Sequence, residues 1–265
     1  ATAGIASVGR SKNNSVQELL VKCDRALGVA KAIKRGKFVV YDAVLAREFD
    51  EQAELAKQVA SALDAGLLDV HFQPLACADT GHIIAAEALL RWDERAGIKA
   101  GPEQVVAAAE AHGLGMQLTL DVMRQACTHA SRWPDVIIAV NITPTQFLDP
   151  ELANAIVSIL SETKLSKDRL ELEVTESIAI ADESVFQQQF ERLHALGIGL
   201  ALDDFGSGYA SIGFLRRFPF TKLKIDKSLV DESLVSAGCR DMLIACVAAA
   251  RALSIKTVAE GIETD

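Results

Sequence analysis

Leu200-Ala-Leu-Asp203-Asp204-Phe-Gly206-Ser-Gly208-Tyr209 is the stretch on which the fold turns. The apolar run Ile198 to Leu202 predicts a short buried strand, which ends abruptly in two adjacent carboxylates and a glycine-rich loop. Neighbouring carboxylates at a buried strand end repel each other unless cations neutralise them, so Asp203 and Asp204 form a candidate metal site. A solvated turn, with aspartates capping a helix and glycines allowing the bend, also accounts for these residues taken alone.

The same grammar recurs along the chain and favours the first reading. Glu173 follows the strand-like Leu170-Glu-Leu172, Asn141 follows Val136-Ile-Ile-Ala-Val140, and Glu260 follows Thr257-Val-Ala259. Lys224 lies in Leu223-Lys-Ile-Asp226, and Glu87 in Ala86-Glu-Ala-Leu-Leu-Arg-Trp92. Ionisable groups in apolar runs are costly unless they converge on something. The C-terminal ends of parallel strands are where βα barrels bring such groups together. Oxygen donors with no Cys or His among them suit hard cations such as magnesium or manganese.

In chain order, EALLRW (Glu87–Trp92), NIT (Asn141–Thr143), ELEVTES (Glu171–Ser177), DDFGSGY (Asp203–Tyr209), LKID (Leu223–Asp226) and AEGIET (Ala259–Thr264) resemble the motif series of the EAL phosphodiesterases. Those enzymes hydrolyse the bacterial second messenger cyclic di-GMP, and the resemblance runs from about His71 to Asp265. It implies an α/β fold, a modified TIM (β/α)8-type barrel with one antiparallel strand. It also implies that Glu87, Asn141, Glu173 and Asp203 hold one Mg²⁺ or Mn²⁺, with Asp203 shared with a second ion completed by Asp204 and Glu260. Glu87, Asp203, Lys224 and Glu260 are then the catalytic candidates. Lys224 would orient the attacking water, Glu260 is the alternative direct base, and Glu263 supports it. Glu176 is expected to brace the loop containing Gly206 and Gly208. Gln73, Leu89, Arg91 and Asp204 are substrate-contact candidates. A guanidinium fork matches phosphate oxygens, although an ordinary rim ion pair would also account for Arg91. Relatives of this kind often pair near the Asp204–Tyr209 loop, so a homodimer is expected.

Two other functions fit parts of the pattern. A catalytically silent cyclic di-GMP receptor would keep the pocket and lose turnover, but the ligand positions up to Asp265 are intact. A Schiff-base enzyme with Lys224 as nucleophile would need no cluster of carboxylates.

At 265 residues and 50% hydrophobic, the chain can bury a barrel-sized core. Its net charge of −9 argues against DNA, RNA or anionic lipid as a non-specific partner. A local site carrying cations, Arg91 and Lys224 can still take an anionic nucleotide. The five cysteines are scattered with no CxxC spacing, which fits a reducing bacterial cytoplasm. The longest apolar helical run, Met242 to Ala250, is too short to span a bilayer, so no membrane contact is expected from these residues. Ala1 is not an initiator methionine, and an upstream sensor or membrane segment is expected.

Three regions are expected: residues 1–42, a connecting helix within 43–66, and the barrel from 67 to 265. The first reads strand, polar turn at Gly9 to Asn14, capped helix from Ser15 to about Ile33, and strand Lys37 to Tyr41. It is similar to the closing part of a GGDEF domain without that family's signature loop, a small α+β remnant with no cyclase chemistry here. Gly28 stands where that family usually has an aromatic. Farther on, Asp79-Thr-Gly81 leaves no room for a crossover helix, so the strands on either side must pair antiparallel. Asp121 and Arg124 are spaced for a local pair, and Val185, Phe186, Phe190 and Leu193 for a buried helical stripe. By the resemblance one more strand and helix would follow Asp265, so the barrel is expected to lack its final strand and helix here.

Overall fold

The computed structural model describes residues 1–7, 15–33, 36–180, 183–206 and 211–262. Its first elements are β1 (Ala3–Ala6), α1 (Val16–Ile33), β2 (Phe38–Tyr41) and α2 (Ala43–Asp64). Ser15 and Glu18 form the expected capping box, each side chain accepting from the other's backbone N–H at 3.1 Å. β1 and β2 pair in parallel around α1, a small βαβ unit. Gly4 allows β1 to lie directly on α1, since a Cβ there would stand 2.2 Å from the Cys23 carbonyl oxygen. The connecting helix begins at Ala43, where Asp42 caps it by accepting from the N–H groups of Val44 and Leu45.

The remaining strands are β3 (Leu68–Ala76), β4 (Ile83–Trp92), β5 (Ile137–Ile142), β6 (Leu170–Thr175), β7 (Gly199–Phe205), β8 (Lys222–Ile225) and β9 (Lys256–Ala259). They form one seven-stranded sheet in sequence order. β3 and β4 are antiparallel, as the short connection requires, and every later pair is parallel. Between the strands run α3 (Pro102–Ala111), α4 (Gly115–Ala130), α5 (Pro144–Phe147), α6 (Leu152–Thr163), α7 (Glu183–Ala195), α8 (Ile212–Arg217), α9 (Lys227–Val235) and α10 (Ala237–Ala252).

The sheet must curl. Four inter-strand gaps separate β4 from β8, about 19 Å if flat at the usual 4.8 Å spacing. Yet Lys224 Nζ on β8 lies 3.1 Å from Glu87 Oε2 on β4. The result is a half-barrel, open along β3 and β9 among the described residues. Its convex face carries Ile138, Val140, Leu172, Val174, Leu200, Leu202 and Leu223, all buried against the helices in the main core. Its concave face carries the alternate residues, small or charged: Ala139, Glu171, Glu173, Ala201, Lys222 and Lys224.

Some expectations need correction. Val185 is 39% exposed, and the buried stripe of α7 is completed by Gln189, whose amide donates to the Asp149 carbonyl at 2.7 Å. Arg124 pairs with Glu162 at 3.1 Å, while Asp121 accepts from Gln125, so the two do not form the local pair. The helices α5 and α9 were not anticipated. Thr143 and Gln146 cap α5 reciprocally with Pro144 at its first turn, and Asp226 caps α9. The Gly9–Asn14 turn, Gly208 and Glu263 lie outside the described residues.

Candidate active site

Lys224 stands at the centre of the concave face. Its ammonium lies 2.8 Å from Glu173 Oε2, 2.9 Å from Glu260 Oε1, 3.0 Å from Asp203 Oδ2 and 3.1 Å from Glu87 Oε2. These carboxylates come from β4, β6, β7 and the residue after β9, so the curl of the sheet is what gathers them. An ammonium has three protons to offer, fewer than the oxygens around it. Glu173 Oε1 is buried with no hydrogen-bond partner among the described residues. Asn141 donates its amide N–H to Glu87 Oε1 at 2.7 Å, which leaves the Asn141 carbonyl oxygen as its free donor atom for a cation.

A β-bulge brings in the last carboxylate. Leu202 pairs with Leu223 and Phe205 with Ile225, so three steps along β7 match two along β8. The extra residue is accommodated by Asp204, which takes the left-handed conformation at φ 55°. A regular strand would send successive side chains to opposite faces. Here single carboxylate oxygens of Asp203, Asp204 and Glu260 all lie within 4.8 Å of one another.

The electrostatics follow from burial and crowding. Burial pushes Glu173 up to about 8, with Glu87 and Asp203 adding to the shift and Lys224 opposing it. Burial also raises Asp204, reinforced by the Asp203 and Asp226 carboxylates. Glu260 is raised by burial, with Lys224 opposing. Burial acts to lower Lys224, but Glu173, Asp203 and Glu87 outweigh it and hold its pKa above the ordinary value. Negative groups thus outnumber the one ammonium, and all the donors are oxygens. A buried carboxylate oxygen without a partner, beside a three-carboxylate cluster, fits hard divalent cations.

The family model for the EAL domain matches residues 56–265. The chain belongs to the EAL domain family. Its relatives include the bifunctional diguanylate cyclase/cyclic di-GMP phosphodiesterase MucR of Pseudomonas aeruginosa, 34% identical over 253 residues. That alignment covers 94% of this chain and 37% of the relative. Cyclic di-GMP phosphodiesterase NbdA of the same organism is 33% identical over 270 residues, covering 98% of this chain and 34% of NbdA. The chain therefore spans about a third of the length of these curated relatives. The solved structure of the PaMucR phosphodiesterase in complex with c-di-GMP superimposes with a TM-score of 0.74 at 36% identity. It covers 80% of this chain and 88% of that one.

In this EAL domain, the expected ligands Glu87, Asn141, Glu173, Asp203, Asp204 and Glu260 converge with Lys224. Glu176, 1% exposed, accepts from the Gly206 N–H at 3.2 Å, tying the residue after β7 to the segment after β6. Gly206 has φ 111°, and a Cβ there would stand 3.0 Å from Leu229 Cδ2, so the position needs glycine. Gln73 is paired opposite Glu87 and exposed, while Leu89 and Arg91 alternate with Glu87 toward the C-terminal end of β4. Arg91 donates to the Leu90 carbonyl at 2.7 Å and takes no part in the carboxylate cluster. Sequence reading missed the bulge that turns Asp204 inward; its available signal was the paired aspartates followed closely by Gly206. No helix among the described residues is long and apolar enough to cross a membrane.

Proposed function

We propose that this chain hydrolyses one phosphodiester bond of cyclic di-GMP to give linear pGpG, using two Mg²⁺ or Mn²⁺ ions. The observation that carries the reading is the meeting of Glu87, Glu173, Asp203 and Glu260 around Lys224, beside the Asp203–Asp204–Glu260 cluster. Glu87, Asn141, Glu173 and Asp203 would hold one ion, and Asp203, Asp204 and Glu260 the other. Such a pair supplies an activated water at neutral pH and neutralises charge on the reacting phosphate.

The chain's own groups do the rest. Lys224 orients the attacking water and donates to phosphate oxygens as negative charge develops. Water oxygen bonds to phosphorus as the bond to the ribose 3′ oxygen breaks. The water's proton is lost to solvent, with Glu260 the alternative acceptor, and the leaving oxygen is protonated from solvent. Arg91, Gln73 and Leu89 lie toward the same rim, where a guanidinium fork can meet the second phosphate. Glu176 holds Gly206, and thereby Asp204, in place. Glu263 and Gly208 are assigned supporting roles by family resemblance.

Residues 1–42 are read as the closing part of a GGDEF domain. Support comes from the alignment to a relative named as bifunctional, which covers 94% of this chain. Self-association near Asp204 is part of the same family reading. A cytoplasmic setting is supported by five cysteines that are all unpaired.

The deciding experiment incubates purified protein with Mn²⁺ or Mg²⁺ and cyclic di-GMP and follows pGpG by chromatography. Turnover is expected in the wild type, and its loss by at least about a hundredfold in Asp203→Ala and Glu87→Ala with unchanged circular dichroism. Full turnover by either variant refutes the assignment, and wild-type binding without turnover identifies a receptor instead.

A further inference from the structure

Glu171 and Lys222 form a second buried ion pair, which the hydrolytic mechanism does not use. Their side chains are 4% and 6% exposed. Lys222 Nζ donates to Glu171 Oε1, and the Thr221 hydroxyl lies 3.1 Å from Glu171 Oε2. The pair crosses a whole strand, since Glu171 is on β6 and Lys222 on β8. Between them β7 presents Gly199, paired opposite Glu171, where a Cβ would come 3.3 Å from Glu171 Cγ.

Two residues farther along the same strands the arrangement repeats. Glu173 on β6 reaches across β7 at Ala201 to Lys224 on β8, 2.8 Å from Oε2 to Nζ. Residues two apart on a strand share a face and stand about 6.6–7 Å apart. Glu173 and Lys222 both pair with Ala201 of β7, so Lys222 is level with Glu173 and within a side chain's swing of it. A buried charge left without a partner is costly enough to draw in a neighbour. Lys222 without Glu171 would turn to Glu173, next on the same face of β6.

We propose that Glu171 is a positioning residue for the site above it: by holding Lys222 across β7, it leaves Glu173 to Lys224 and the cation cluster. The inference rests on the metal-dependent reading of that cluster. It concerns residues that touch neither substrate nor ion.

The test is Mn²⁺ affinity, measured by electron paramagnetic resonance of free Mn²⁺ on the full chain, for wild type, Glu171→Gln, Lys222→Met and the double variant. Glu171→Gln is expected to weaken Mn²⁺ binding by about tenfold or more, the range for outer residues that orient metal ligands, whereas Lys222→Met, which frees no lysine, should stay within about threefold of wild type. The double variant removes both lower charges, so its affinity should return to within about threefold of wild type, even at a lower melting temperature. A merely structural pair would lower the melting temperature in all three and leave affinity unmoved. Should Lys222→Met fail to fold, the near-isosteric Glu171→Gln and the double variant still decide. Wild-type affinity in Glu171→Gln, or a double variant at least as weak as that single, overturns the proposal. A wild type that binds no Mn²⁺ takes the metal reading down with it, whereas tight wild-type binding with unaffected single variants removes only the positioning role.

Discussion

The concave face of the sheet holds two storeys of buried charge with opposite balances. Below, one glutamate meets one lysine, with a threonine hydroxyl at the second oxygen. Above, one lysine meets four carboxylates, a fifth stands beside them at Asp204, and Glu173 keeps an oxygen with no partner among the described residues. The same two strands supply both lysines and two of the glutamates, so neither burial nor backbone accounts for the difference. It lies in what the neighbouring strands add. Gly199 fills its place in the lower storey with no side chain, whereas β4, the β7 bulge and the residue after β9 all deliver carboxylates to the upper one. A balanced buried pair is complete in itself. A surplus of buried carboxyl groups is answered by protonation, the direction in which Glu173 is pushed, or by bound cations.

The largest expected effect comes from removing the upper ammonium. Lys224→Met should lower turnover of cyclic di-GMP by about 10²–10³-fold in saturating Mn²⁺, because one preorganised donor to developing phosphate charge is lost. In chelator it should also melt earlier than the wild type, with Mn²⁺ recovering more of the difference than in the wild type. Turnover within tenfold of wild type would mean the ammonium only balances charge, as in the lower storey. Replacing Mn²⁺ by Ca²⁺ separates charge from geometry. Ca²⁺ answers the surplus equally well, but its oxygen distances of about 2.3–2.6 Å misplace the reacting groups. Calcium should therefore raise the melting temperature and inhibit turnover by at least about tenfold; equal rates in the two metals would break the two-ion scheme. A smaller effect is expected at the bulge. Gly206→Ala meets both the positive φ and Leu229, costing about 1–3 kcal/mol in urea unfolding, with a modest fall in turnover through the Glu176 tether. An unchanged midpoint would show that the loop shifts without cost and that its anchoring does not set the place of Asp204.

Much of this site was legible along the chain because each ligand interrupts an apolar run, a local signal that needs no partner to be seen. The antiparallel start was legible for a similar reason, since the Asp79–Gly81 turn leaves no room for a crossover. Period-two alternation along a strand places Glu171 on the face of Glu173 and Lys222 on that of Lys224. It said nothing of which glutamate meets which lysine, because the partners are separated by one intervening strand and many residues of sequence. Val185 misled for a comparable reason. Its helical spacing fits a buried stripe, yet the connection between α5 and α6 offers the Asp149 carbonyl to Gln189 instead. The short helices α5 and α9 carry few buried residues, so periodicity had little to detect, and their capping residues Thr143 and Asp226 were the better signal.

The sequence by itself determined which residues face inward and in what order the strands follow, because alternation, caps and connection lengths are local properties of the chain. Tertiary structure alone decided the curl that brings Glu87 to Lys224, the bulge that turns Asp203 and Asp204 toward one point, and the separation of the lower pair from the upper cluster. The physical reason is that register, curvature and charge pairing are settled between strands. Each depends on distances across the sheet that no single segment contains.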